Sequence, residues 1–65
     1  MNKKNIQDIT DQYPLFEIVT NHYHSSLLNK DKINFITEKV VKLTETSNTD
    51  VYLNVDDIRL IRGKK

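Results

Sequence analysis

The spacing of apolar residues changes character near positions 47–50. Upstream they recur at three- and four-residue intervals; downstream Val51, Leu53 and Val55 alternate, as do Ile58 and Leu60. A period near 3.6 marks one face of a helix and a period of 2 one face of a strand. The switch predicts an α+β chain: two to three short helices followed by a C-terminal β-hairpin.

Asn5, with Asp8 three residues on, reads as the cap of a first helix over 5–12, whose stripe is Ile6, Ile9 and Tyr13. Pro14 cannot continue that helix but suits the first turn of another. Over 14–28, Leu15, Phe16, Ile18, Val19, Tyr23 and Leu27 gather on one side of a helical projection. The polar run at 29–32 breaks the pattern and supplies the next cap. A third helix over 31–46 then carries the stripe Ile33, Ile36, Val40 and Leu43, broadened by Val41 and Thr37, with Phe35 on its wet side. Glu38 and Lys42 stand at i, i+4 on that helix, a pairing worth about 0.2–0.5 kcal/mol. The run at 45–50 is polar and turn-forming, so the chain reverses there.

Residues 51–62 admit two readings. As a hairpin, 51–55 pairs with 58–62 across an Asp56-Asp57 turn. Val55 then faces Ile58, Leu53 faces Leu60, and Tyr52 and Ile61 share the opposite face. As a short C-terminal helix, giving an all-α chain, Asn54 caps and Ile58 and Ile61 turn inward. The run VYLNV favours the hairpin.

Sixty-five residues bound the chain to one small domain, 1–65. A domain of this size buries only about 60% of the surface its unfolded chain exposes. There is no Cys to supply a disulfide staple. The expected supplement is therefore a homodimer, formed through the hairpin edge or the Tyr52–Ile61 face, or docking onto a larger partner. A cysteine-free chain also points to the cytoplasm. No apolar run approaches the ~20 residues that span a bilayer, so no membrane partner is expected. The start MNKKNIQDIT lacks the continuous apolar segment of a signal peptide.

Net charge is +1, but its distribution is uneven. Lys3 and Lys4 open the chain and Arg59, Arg62, Lys64 and Lys65 close it; between them four Lys stand against nine acidic residues. Basic ends flank an acidic body.

Candidate chemistry is sparse. His22 and His24, two apart on a helix, point in nearly opposite directions, and a closed zinc site takes four ligands, so no metal is expected. The single Gly cannot form a phosphate-cradling loop, and no nucleophile sits on a recognisable elbow. The expectation is a non-enzymatic chain without cofactor. What remains is apolar surface that the core does not use: Phe35, Tyr52 and Ile61, with Arg59 beside them on the hairpin. These are the expected contacts of a small regulator or inhibitor that binds another protein. The runner-up is a nucleic-acid binder. In it the second and third helices form a helix-turn-helix, with Lys30, Lys32, Lys39 and Lys42 on phosphates. Near-neutral charge and Glu38 and Glu45 on the recognition helix weigh against it.

Overall fold

Asn2 opens the only α-helix, α1 (Lys3–Gln12), its side chain accepting a hydrogen bond from the Asn5 backbone N–H at 2.8 Å. The cap is thus Asn2 rather than Asn5. The helix stops at Tyr13, which is extended (φ −126°, ψ 135°), as steric conflict with the Pro14 ring favours. The computed structural model describes all 65 residues, and beyond α1 it is mostly β: five strands in two antiparallel sheets.

Pro14 leads into a strand, β1 (Leu15–Thr20), not into a second helix. Phe16 and Ile18 alternate into the core, and the β-branched run Ile18-Val19-Thr20 suits an extended backbone. One side of β1 pairs with β5 (Ile58–Lys64), in register from Leu15↔Lys64 to Val19↔Leu60 and then shifted by one residue to Thr20↔Ile58. Its other side holds the ribbon at 23–28. Phe16 and Leu28 exchange hydrogen bonds of 2.9 and 2.8 Å, and the Ser25 and Thr20 N–H groups donate to Ile18 and Tyr23 carbonyls. The Ile18 N–H finds the buried Ser25 hydroxyl at 2.8 Å, a side chain standing in for a ladder carbonyl.

Asn29 caps a single 3-10 turn at Lys30–Lys32, which leads into the second sheet. That sheet is a meander of β2 (Ile33–Phe35), β3 (Val40–Thr46) and β4 (Thr49–Asn54). Thr37 Oγ1 holds the β2–β3 reversal by accepting from the Lys39 and Val40 N–H groups at 3.1 and 3.0 Å. Asn54 then caps another 3-10 turn, Val55–Asp57, which redirects the chain into β5.

The expected architecture is therefore overturned. Neither two to three helices with a terminal hairpin nor the all-α alternative forms, because 14–28 and 31–46 are strands and turns. Ile36, placed in a helical core stripe, is 50% exposed at the β2–β3 reversal. Val41 and Leu43 go into the core at strand spacing instead. The chain does reverse within 45–50, but between two strands. Asn54 caps as the helical reading of 51–62 requires, yet only one 3-10 turn follows. β4 and β5 do not pair with each other: Leu53 faces Val41, Leu60 faces Val19, Tyr52 faces Lys42 and Ile61 faces Ile18. The shared Tyr52–Ile61 face therefore does not exist.

Ile6 from α1, Phe16 and Ile18 from β1, Leu28 from the ribbon, Val41 and Leu43 from β3, Val55 and Ile58 make one core. α1, β1, β3, β5 and the second 3-10 turn each send a buried residue into it, while β2 and β4 contribute partly buried Ile33, Phe35, Val51 and Leu53. The Met1 ammonium donates to the Val55 and Ile58 carbonyls at 3.2 and 3.5 Å, setting the start of α1 beside the second 3-10 turn. At the other end of α1 the Tyr13 ring lies over Gly63, where a Cβ would collide with it. No helix is long and apolar enough to cross a membrane.

Truncating Ile18 to Ala should cost about 2–5 kcal/mol in urea unfolding, whereas Ile36→Ala should stay within about 0.5 kcal/mol. Gly63→Ala should cost about 1–3 kcal/mol by overpacking against Tyr13. The same substitution in a Tyr13→Ala background should cost measurably less, and an unchanged penalty would show that the ring is not the obstacle.

Candidate functional site

Along an antiparallel strand, main-chain groups point alternately to the two neighbours. In β1 those of Phe16 and Ile18, and the Thr20 N–H, face the ribbon at 23–28. Those of Leu15, Glu17 and Val19 therefore face β5, opposite Lys64, Arg62 and Leu60. It follows that the N–H and C=O groups of Ile61 and Gly63 point away from β1, along an edge that no other strand covers.

Side chains alternate between faces on the same period. With Phe16 and Ile18 inward, Leu15, Glu17 and Val19 face outward together with their partners Lys64, Arg62 and Leu60. Leu28 is buried beside Phe16, so its neighbour Leu27 faces out. His24, bridged to Val19, also faces out, and its Nε2 lies 2.9 Å from Glu17 Oε2. The outer face thus carries Leu15, Leu27 and Leu60, 40%, 45% and 37% exposed, around half-buried Val19 and the Glu17–His24 pair. Arg62 and Lys64 form its basic rim. The helix does not cover this face, because Ile6 anchors α1 in the core on the other side of β1 and β5.

Two β-bulges shape the surroundings. Leu60 lies opposite Val19 but Ile58 opposite Thr20, which leaves Arg59 as the extra, unpaired residue of β5. In the second sheet Thr44↔Asp50 is followed by Thr46↔Thr49, so Glu45 is the extra residue of β3. Glu45 accepts from the Ser26 hydroxyl at 2.6 Å, from the Ser26 N–H and from the Tyr23 hydroxyl, and so fastens the ribbon to the second sheet. The Ser26 hydroxyl is engaged by this carboxylate rather than by an imidazole.

Cations divide into two groups. Lys3, Lys4, Lys30 and Lys39 pair with Glu38, Asp8, Asp11 and Asp56. Six have no carboxylate partner: Lys32 and Lys42, which stand apart, and Arg59, Arg62, Lys64 and Lys65, which cluster at the C-terminal end. Exposed pairs of this sort contribute about 0–1 kcal/mol each, so their consequence is for surface charge more than stability.

The residues singled out from sequence are scattered. Phe35 is half-buried against the core, with Lys3 5.4 Å above its ring, in a groove of about 690 Å³ between α1 and β2 that Lys30 also lines. Tyr52, 61% exposed, borders a separate cleft of about 310 Å³ with Tyr23, His22 and Leu53. Ile61 is half-buried under the β1–β5 ladder. Arg59 alone lies beside the outer face. Lys30 and Lys39 are paired, Lys32 is exposed on the first 3-10 turn and Lys42 is half-buried on β3. The helix-turn-helix that was to hold these four lysines has neither of its helices. Leu15, Leu27 and Leu60 went unnoticed because a helical projection places Leu15 and Leu27 inside an apolar stripe. The strand alternation Leu15-Glu17-Val19 against Phe16-Ile18 carries the signal that finds them.

Compared with protein-family models, curated proteins and solved structures, the chain has no match in any of the three.

Glu45→Ala should cost about 1–2 kcal/mol in urea unfolding, the scale of lost hydrogen bonds to a partly exposed charge. It should also speed exchange of the Ser26 amide. Unchanged stability and exchange would show that Glu45 does not hold the ribbon.

Proposed function

We propose that this chain is a small, non-enzymatic, cytoplasmic protein-binding module, a regulator or inhibitor that acts by contact with a partner protein. The observation that carries this reading is the outer face of β1, β5 and the ribbon at 23–28. Three large aliphatic side chains stand there more than one-third exposed on a face no helix covers. Single exposed apolar residues are ordinary, but three large ones on one uncovered sheet face, set around the Glu17–His24 pair and bordered by basic groups, support an interaction site. Leu15, Leu27 and Leu60 supply the burial, at about 1.5–3 kcal/mol for each fully covered side chain. Arg59, Arg62 and Lys64, free of internal partners, select a partner whose contact surface is acidic.

Of the contacts expected from sequence, Arg59 stays in this site. Phe35 and Ile61 serve the core, and Tyr52 lies on the other sheet. The unpaired basic end of β5 is also what supports the competing nucleic-acid reading. Against that reading, the charges that would meet phosphates surround an aliphatic face rather than stacking aromatics.

The test is capture from the native host with wild type and with the Leu27→Glu/Leu60→Glu variant. It is followed by titration calorimetry of the purified captured protein against both. The variant should fold, since both side chains are exposed, and should bind about tenfold or more weakly, as loss of a central apolar anchor does. Equal binding by wild type and variant, or recovery only of nuclease-sensitive material, would overturn the proposal.

A further inference from the structure

The free edge of β5 sits directly beside the face described above. Ile61 and Gly63 present two N–H and two C=O groups along it, unpaired by any strand of the chain. An uncovered edge is a template for another strand, and proteins commonly blunt such edges with charge. Here all the charge is of one sign: Arg59, Arg62 and Lys64, none held by a carboxylate. Such an edge repels a second copy of itself. It does not repel an acidic strand.

We propose that the β5 edge takes up an extended acidic segment of a partner protein as an added antiparallel or parallel strand. This inference rests on the protein-binding reading. Arg62 and Lys64 lie on the outer phase, two residues apart and so about 7 Å along the strand. Carboxylates at alternate positions of the incoming segment meet them at that same spacing. The residue between them lies opposite Gly63 and faces inward, on the side where the Tyr13 ring packs, so an apolar side chain suits that position. The bulge at Arg59 interrupts the regular ladder, so the paired stretch is short, on the order of three to four residues. The segment is thus one in which acidic and apolar residues alternate. The chain's own β4 matches it less well: its outer phase, Asp50, Tyr52 and Asn54, has one carboxylate for three cations.

The probe is a fluorescein-labelled peptide of about eight residues alternating Glu and Val, followed by anisotropy; strand addition recognises such a segment by main-chain bonds and alternate side chains. Peptides alternating Lys and Val, or with four Glu followed by four Val, are controls. Wild type should bind the Glu-Val alternation and neither control. Arg62→Glu/Lys64→Glu should weaken binding about tenfold or more. N-methylglycine introduced at position 63 by chemical synthesis removes the edge N–H while leaving every side chain and charge. It should weaken binding about fivefold or more, since each lost main-chain bond is felt directly. Independently of that variant's folding, the Ile61 and Gly63 amides of wild type should exchange more slowly when the peptide is bound.

Unprotected Ile61 and Gly63 amides, or equal binding of the block control, would show mere charge attraction and overturn strand addition. Tighter binding of a single-stranded oligouridine than of the peptide would assign the edge to nucleic acid. A dimer in sedimentation that the N-methylglycine variant abolishes would assign it to a second copy. If the peptide fails while Leu27→Glu/Leu60→Glu still weakens the captured partner, the strand inference falls and the protein-binding reading stands. If both fail, both fall.

Discussion

β1 is the strand on which the rest of the structure depends, because it is hydrogen-bonded on both sides. Its main-chain groups at Phe16 and Ile18 engage the ribbon, and those at Leu15, Glu17 and Val19 engage β5. Both of its faces also have work: Phe16 and Ile18 are fully buried, while Leu15, Glu17 and Val19 look outward. Since buried main-chain polar groups must be paired, the position of β1 dictates where the ribbon and β5 lie. The remaining free edge of β5 follows from that arrangement.

With β1 fixed, a core of eight residues is enough to join two small sheets and a helix. The joints are local and polar: Asn2, Asn29, Thr37 and Asn54 each accept from nearby main-chain N–H groups. These side chains substitute for the glycines that a chain with one Gly cannot provide, and no residue adopts a positive φ. The one glycine serves close approach, admitting the Tyr13 ring against β5. Glu45 adds a long-range tie, holding Tyr23 and Ser26 from a bulge in the other sheet.

The outer face and the β5 edge come from the same geometry and complement each other. One presents aliphatic area, the other main-chain donors and acceptors, and the unpaired cations of β5 border both. An interface needs a buried apolar centre for affinity and charge for partner choice, and this corner of the molecule offers both within a few residues. In the α1–β2 groove, by contrast, lysines and aspartates neutralise one another through Lys4–Asp8 and Lys30–Asp11.

From the sequence alone came the first helix, the stop at Pro14, the polar reversal at 45–50, the Asn54 cap and the unevenness of charge. Each is local: a cap, a ring that removes a donor, a run of turn-formers, a count of lysines and arginines. The sequence also singled out Arg59, though on a hairpin that does not exist. It could not decide the state of 14–28 and 31–46, because short runs of Val, Ile, Leu and Thr fit both a helical stripe and an alternating strand. Ile33, Val40 and Leu43 satisfy the helical spacing, yet Val41 and Leu43 enter the core as strand neighbours once β2 and β4 lie on either side of β3. Nor could it tell that β5 pairs not with its neighbour β4 but with β1, about forty to fifty residues away in the chain. Only that pairing sets Leu15 and Leu60 on one face, because strand partners are chosen by burial and hydrogen bonding across the whole molecule and not by proximity in sequence.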